Sequence, residues 1–484
     1  MKVLVTNPPW PGDGYGARSD VRWPHKRKDK YIEYPVYLAY TVAVLEKAGF
    51  EVSFLDAIME ELDIPSFAAR VKDIHPSLLV MECSTPSIRF DLQSAAAVKT
   101  AIPGITVALV GSHVTFFHKE ILLENPSVGA VCRGEFEITV RELARAIAEA
   151  RAWNTVEGLS FHADGQVIAN PDRPLVDDLD GLPFPARHIV QNQGYRAGIF
   201  SGKQPTAIVS SRGCPFQCTY CLWPATLYGH RFRARSARNV VDEIDEVVHR
   251  YGIDEIYFDD DTFTMDKRRV LHICRLIRER SLNVSWIVQA RVDTVDREIL
   301  QAMQNAGCHY ILFGVESGSP QMLQAMKKRI TLDQVREAFR LCAELGIKTQ
   351  AFFLFGMPGE TQQTIRETID FAKSLPASTA QFAVAIPHPG SVLYQQVVDN
   401  GWLVYNDWED FAACQALIET PQLSRRETEQ ARVRAYREFY FRPAFILREA
   451  ARIRHPRDLK RLMRGARSVL DRLSFFRSAP RPGA

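Results

Sequence analysis

The sequence predicts an α/β chain: a doubly wound, Rossmann-like N-terminal domain, a partial (β/α)6 barrel and a helical C-terminal tail. Residues 1–150 hold short apolar strand patterns separated by helical periodicity, and residues 201–400 hold a second such series. Cys214, Cys218 and Cys221 follow the first strand of that second series at C-x3-C-x2-C spacing. Residues 151–200 form a linker with a β-hairpin, and residues 401–484 form the basic helical C-terminal region.

In the N-terminal domain the strand candidates are Lys2–Thr6, Glu51–Leu55, Ser77–Glu82, Thr106–Val110 and Gly129–Cys132. Helical periodicity lies between them, as at Val36–Lys47 and Phe136–Glu149. Open parallel sheets bind ligands at the carboxyl ends of their strands. Those ends carry Asn7-Pro8-Pro9-Trp10-Pro11, Asp56, Cys83-Ser84-Thr85-Pro86, Gly111-Ser112-His113-Val114-Thr115 and Arg133-Gly134-Glu135. No G-x-G-x-x-G follows the first strand, so the pattern is not a dinucleotide fingerprint. In the linker, Ala163-Asp164-Gly165 marks a hairpin turn, and Leu182-Pro183-Phe184-Pro185 reads as a segment packed on a neighbour.

The second series has strands at Thr206–Ser211, Glu255–Phe258, Ser285–Gln289, Tyr310–Val315, Thr349–Phe355 and Gln381–Ile386. Six strand–helix units make a partial barrel, with chemistry at the carboxyl end of the sheet. The tail from residue 421 holds about 17 Arg and Lys against about 6 Asp and Glu. It also carries Tyr436, Phe439, Tyr440, Phe441, Phe445, Phe475 and Phe476. Two readings stand: a helical cover for the open barrel edge, or peripheral contact with an anionic membrane face.

The chain has 484 residues, 46% hydrophobic and 24% charged, the composition of an ordinary globular protein. A net charge of +3 gives no general attraction to nucleic acid, and none is expected as a partner. No apolar run reaches membrane-spanning length. Met1-Lys2-Val3-Leu4-Val5 enters a strand directly, without the apolar core and cleavage site of a signal peptide. The expected setting is therefore the reducing cytoplasm, where clustered cysteines read as metal ligands. Cys83, Cys132, Cys274, Cys308, Cys342 and Cys414 lie singly in apolar segments and read as core filling.

Three clustered thiolates can hold three irons of a [4Fe–4S] cluster and leave the fourth iron open for reaction. A zinc site would want a fourth ligand, for which His230 is the nearby candidate. Asp259-Asp260-Asp261 ends an apolar strand at the barrel mouth, where buried acids are costly unless used. Arg291 and Glu316 end the next strands and need partners for the same reason.

With these motifs in place, residues from Cys214 onward resemble the radical S-adenosylmethionine (SAM) superfamily. The resemblance runs through Asp259-Asp260-Asp261-Thr262-Phe263, Arg291, Gly314-Val315-Glu316-Ser317-Gly318 and Phe355-Gly356-Met357-Pro358-Gly359-Glu360. It implies that Cys214, Cys218 and Cys221 bind the cluster, and that Tyr220, Asp260, Arg291, Glu316 and Ser317 border SAM. It further implies reductive cleavage of SAM to a 5′-deoxyadenosyl radical, with an external electron donor such as flavodoxin or ferredoxin.

The N-terminal domain resembles that of the cobalamin-binding members. Gly111-Ser112-His113-Val114-Thr115 is similar to their Gly-Gly-x-His loop, and Arg133-Gly134-Glu135-x-Glu137 to their Gly-Glu-x-Glu turn. The resemblance implies cobalamin contacts at Pro9, Trp10, Thr85, Gly111, His113, Val114 and Glu135. The D-x-H-x-x-G motif of histidine-ligated cobalamin is absent after the first strand, so no protein histidine is expected on the cobalt. His75, in Asp73-Ile74-His75, reads as a surface or capping residue.

The expected activity is methylation of an unactivated carbon, or of phosphorus, on a small molecule or lipid. The alternative is radical cyclisation, oxygenation or ring rearrangement, as in the anaerobic magnesium-protoporphyrin ester cyclase group and the enzyme that remodels the hopanoid side chain. Methylthio transfer would require a second cysteine-bound cluster in the N-terminal domain, where only Cys83 and Cys132 occur. A non-enzymatic iron–sulfur protein would have no need of SAM-type loops.

Overall fold

The computed structural model describes residues 1–451 apart from 13, 19–24, 28–31, 164, 196–201, 413 and 414. Asp164, Cys414 and the basic stretch with Arg452, Arg454, Arg457, Lys460, Arg461, Arg464, Arg467, Phe475 and Phe476 lie outside the described residues, as does the Arg448 side chain.

The N-terminal strands lie side by side in the order Glu51–Asp56, Lys2–Asn7, Leu78–Glu82, Thr106–Val110 and Ala130–Cys132, all parallel. This is the 2-1-3-4-5 arrangement, and its topological switch point falls between Lys2–Asn7 and Leu78–Glu82. The linker hairpin, Leu159–Ala163 and Gln166–Ala169, extends the same sheet antiparallel to Ala130–Cys132. Leu159 and Phe161 bury their side chains there, which a free linker would leave in water.

Helix Val36–Lys47 is buried continuously from Val36 to Leu45. A helix apolar on all sides has neighbours on all sides. Here it lies between the domains: the Tyr37 hydroxyl donates to Asp259 (3.3 Å) and the Tyr40 hydroxyl to the Val209 carbonyl (3.4 Å). The Ala186 N–H of the proline-rich linker donates to the Ala39 carbonyl. His75 caps helix Ile64–Ile74 in the left-handed region, as expected of a capping residue.

The second sheet holds Pro205–Ile208, Glu255–Phe258, Ser285–Ala290, Cys308–Glu316, Lys348–Phe355 and Thr379–Val384 in sequential order, all parallel. Its last strand is an open edge, with backbone groups free to pair with another chain. Helix Arg425–Tyr440 covers that edge. Phe382 N–H donates to the Tyr436 hydroxyl, and the Tyr440 hydroxyl receives Ala380 N–H and donates to the Ala380 carbonyl. The described part of the basic tail is thus a cover for the barrel. Among the described residues no helix is long and apolar enough to cross a membrane.

A buried charge network joins the two sheets. Arg212 donates to Glu135 (3.1 Å) and Glu137 (2.7 Å), and Arg233 donates to Glu135 (2.8 Å). All four side chains are at most 4% exposed. Removing one partner of such a network leaves charge stranded in low dielectric and costs roughly 3–5 kcal/mol. Arg212→Ala is accordingly expected to lower unfolding free energy by about that amount in urea titration. Replacing Arg212, Arg233, Glu135 and Glu137 together with Met or Gln, which leaves no charge of the network unpaired, is expected to cost less than Arg212→Ala alone.

Candidate active site

The cysteine loop leaves the first barrel strand through Ser211–Arg212, which pairs antiparallel with Arg233–Ala234 and closes the loop at its base. Gly213 then turns with φ +82°, and a Cβ there would stand 2.3 Å from the Arg231 carbonyl oxygen, so only glycine fits. Two of the three aspartates at this mouth, Asp260 and Asp261, hold the loop. Asp260, fully buried, accepts from Ser210 N–H (2.7 Å) and from the Ser210 and Ser211 hydroxyls (2.5 and 2.6 Å). Asp261 accepts from Gly213 N–H (3.0 Å). Farther on, Thr219 N–H donates to the Met326 carbonyl and Leu393 N–H to the Thr219 carbonyl, tying the loop across the mouth.

Cys214, Cys218 and Cys221 are all free thiols and partly accessible, unlike the buried Cys83, Cys132, Cys274, Cys308 and Cys342. Burial, followed by the nearby Asp261 carboxylate, pushes the Cys214 and Cys221 thiols up. Thiolates in this loop therefore need a compensating cationic centre. His230 uses Nδ1 on the Phe216 carbonyl (3.0 Å).

Facing the loop is a buried polar cluster. Lys328 Nζ donates to Glu316 Oε1 (2.9 Å) and to the Tyr220 hydroxyl (3.3 Å). Glu316 sits at φ +70°, a strained value for a non-glycine residue, where the pairing with Lys348–Phe355 shifts register. Gly314 makes room for the pair: a Cβ there would lie 2.5 Å from Glu316 Oε1 and 2.8 Å from Lys328 Nζ. Arg291 lies 3.5 Å over the Phe216 ring and donates to Asp293 and to the Lys328 carbonyl. Ser317 is turned away, its hydroxyl sharing a hydrogen bond with Thr368 (2.9 Å). The structure thus brings Tyr220, Arg291 and Glu316 around the cysteine loop, while Asp260 and Ser317 brace the backbone. Lys328 was not singled out from the sequence, because Lys327-Lys328-Arg329 looks like a solvated basic turn.

At the N-terminal sheet, Thr85, Gly111 and His113 come together. His113 Nδ1 is 3.1 Å from Thr85 Oγ1, and Gly111 turns at φ +117° where a Cβ would strike the Cys83 carbonyl. Pro9 and Trp10 are held beside them by Arg18, another residue the sequence did not flag. Its fully buried guanidinium donates to the Pro8 and Pro9 carbonyls, Asn7, Ser87 and Asp91. The Val114 side chain is packed in the core, so a ligand would meet only its backbone. Glu135 is committed to Arg212, Arg233 and the Val176 N–H.

These strand ends face the barrel mouth. His113 packs on Trp408 (ring centroids 5.0 Å), and Trp408 on Phe411. A Cβ at Gly390, beyond the last barrel strand, would reach Thr226 of the loop after Cys221 and Phe116 of the His113 helix.

The Radical SAM superfamily family model matches residues 208–372, and the B12 binding domain model matches residues 26–144. An uncharacterized methyltransferase of Pyrococcus horikoshii is 32% identical over 89% of this chain and 93% of its own length. The chain belongs to the cobalamin-binding radical SAM superfamily. The anaerobic magnesium-protoporphyrin IX monomethyl ester cyclase of Rubrivivax gelatinosus is 28% identical over 92% of this chain and 78% of its own. The cobalamin-dependent SAM radical enzyme OxsB, solved with aqua-cobalamin, shares the fold, with TM-score 0.74 at 17% identity over 98% of this chain and 72% of that one.

The protein is therefore an enzyme whose cofactors are a [4Fe–4S] cluster, SAM and cobalamin. Its residues fit them. Soft thiols suit iron. Thr219 Oγ1, beside Cys218, is buried without a hydrogen-bond partner, as are both ring nitrogens of His388 near His113.

Glu360 closes the Gly356-Met357-Pro358-Gly359 loop at the fifth strand end. Its carboxyl receives the Gly356 N–H, leaves Oε1 unpartnered, and burial pushes it up to about 8. A folded value above the unfolded one means stability that is full in acid and lost as pH rises through 8. The stability of Glu360→Gln relative to wild type is therefore expected to rise between pH 5 and pH 9, read by urea unfolding of the apoprotein.

Proposed function

We propose that this radical SAM enzyme is a cobalamin-dependent methyltransferase acting on an unactivated carbon, or on phosphorus, of a small molecule. The observation that carries the reading is the meeting of two mouths. The helix that carries His113, the loop after Cys221 and the segment after the last barrel strand meet at Phe116, Thr226 and Gly390, which supports cofactor sites side by side. One substrate could therefore meet both cofactors without leaving the protein. The methyltransferase relative, matched nearly end to end, supports the same activity.

When bound, the cluster with SAM supplies a 5′-deoxyadenosyl radical, and cobalamin supplies a transferable methyl group. The chain's own contribution is placement. Cys214, Cys218 and Cys221 would hold the cluster on a loop whose start is pinned by Asp260 and Asp261. Tyr220, Glu316 and Lys328 would border SAM, held in place by their mutual hydrogen bonds. Arg291, over Phe216, would set positive charge beside the thiolates. Thr85, Gly111 and His113, with the backbone of Pro9, Trp10 and Val114, would border cobalamin.

The electron would come from a small external donor such as flavodoxin or ferredoxin. The excess of Arg and Lys beyond residue 421 supports a cytoplasmic enzyme with peripheral membrane contact, which would suit a lipid substrate. A second reading, radical cyclisation or oxygenation, is favoured by the whole-domain similarity to the ester cyclase.

Anaerobic incubation of reconstituted enzyme with cobalamin, a strong reductant and methyl-labelled SAM decides between them. Methylation predicts product heavier than substrate by one labelled methyl in place of hydrogen; a mass change without label transfer supports cyclisation or oxygenation. Cys214→Ala, Cys218→Ala and Cys221→Ala are each expected to abolish 5′-deoxyadenosine release and to lower bound iron, measured by chromatography and a colorimetric iron assay.

A further inference from the structure

His388 lies just past the sixth barrel strand, in Ile386-Pro387-His388-Pro389-Gly390. It is 4% exposed, and neither ring nitrogen has a hydrogen-bond partner. Buried side-chain polar atoms are rarely left in that state, because each unpaired group keeps its desolvation cost. The ring is also poorly placed to swing out to water. Its backbone N–H donates to the Ile386 carbonyl (2.9 Å), and its carbonyl receives the Ser391 N–H (3.1 Å) and hydroxyl (2.7 Å). Prolines flank it on both sides, and Gly390 is wedged against Thr226 and Phe116. A buried, backbone-fixed imidazole with two open nitrogens points to a ligand.

The neighbours say which one. His388 lies near His113, and its ring is 6.5 Å from that of Phe411. Phe411 packs on Trp408, which packs on His113. The segment Trp408–Phe411 also lies against Thr85–Ser87 of the N-terminal sheet. The described hydrogen bonds of Tyr220, Glu316 and Lys328, which border the SAM pocket, do not involve His388. Burial keeps the imidazole neutral, holding it down at about 4. A neutral imidazole offers one donor and one acceptor. The primary amides around a corrin ring offer the complementary pair.

We propose that His388, a barrel residue, binds cobalamin by hydrogen bonds between its ring nitrogens and the amide rim of the corrin, and not as a ligand to cobalt. This rests on the assignment of cobalamin to the N-terminal strand ends. It makes the cofactor a bridge between the domains, touched by His113 from one side and His388 from the other.

The test is binding of hydroxocobalamin to the full-length apoprotein, followed by absorbance after gel filtration and by equilibrium dialysis. His388→Phe is expected to raise Kd about tenfold or more, since it removes both hydrogen bonds from a buried site. His388→Gln, which keeps a donor and an acceptor, is expected to stay within about threefold of wild type. Melting temperature and iron content check that each variant folds. Unchanged Kd in a folded His388→Phe overturns the proposal. A second readout requires no folded Phe variant: in wild-type protein labelled with 15N-histidine, the ring resonances missing from His388→Gln must shift on adding hydroxocobalamin, and no shift overturns the proposal. Electron paramagnetic resonance of bound cob(II)alamin must show no imidazole hyperfine splitting; splitting that disappears in His388→Gln overturns the rim contact in favour of cobalt ligation. Failure of wild type itself to retain cobalamin would instead remove the cofactor assignment, and the proposal with it.

Discussion

Arg212 immediately precedes the glycine at which the cysteine loop begins, and its guanidinium is spent on Glu135 and Glu137 of the other domain. Arg233, at the far end of the same loop, returns to Glu135. Both ends of the iron-binding loop are thus clamped to the turn that follows the fifth N-terminal strand. Charges this deeply buried tolerate no loosening, since moving either domain away would strand a carboxylate or a guanidinium. The relation between the two sheets, and so between the two cofactor mouths, depends on this clamp.

The clamp changes how several motif residues are understood. The Gly-Glu-x-Glu turn reads as a corrin contact when taken from the sequence. In the fold its carboxylates face the barrel, and the turn fixes one domain to the other. The Asp259-Asp260-Asp261 run behaves similarly. The described bonds of Asp260 and Asp261 go to the start of the cysteine loop, and that of Asp259 to Tyr37 of the buried inter-domain helix.

The residues proposed to border the cofactors are fewer and more mixed in origin. Tyr220, Glu316 and Lys328 come from the cysteine loop and from either side of the fourth strand's end. Thr85, Gly111 and His113 come from the N-terminal sheet. His388 comes from the sixth strand and Trp408 from a short helical turn beyond it. Helix Arg425–Tyr440 seals the barrel's open edge with tyrosine hydroxyls, which keeps that edge from pairing elsewhere.

The sequence by itself determined the strand–helix alternation, the division into two parallel sheets, and the cysteine triplet after the first barrel strand. These are local properties: hydrophobic period, turn residues and spacing along one segment. It also carried the absence of a cobalt-ligating histidine motif after the first strand. Only the tertiary structure decided which polar residues are partnered and by whom. Arg18, Lys328 and His388 stand in stretches with no periodicity or motif, and their roles come from neighbours far away in the chain. Arg18 meets Asp91, Lys328 meets Tyr220, and His388 approaches His113. Burial and pairing are long-range facts, set by which loops the two sheets turn toward each other, and no window of sequence contains them.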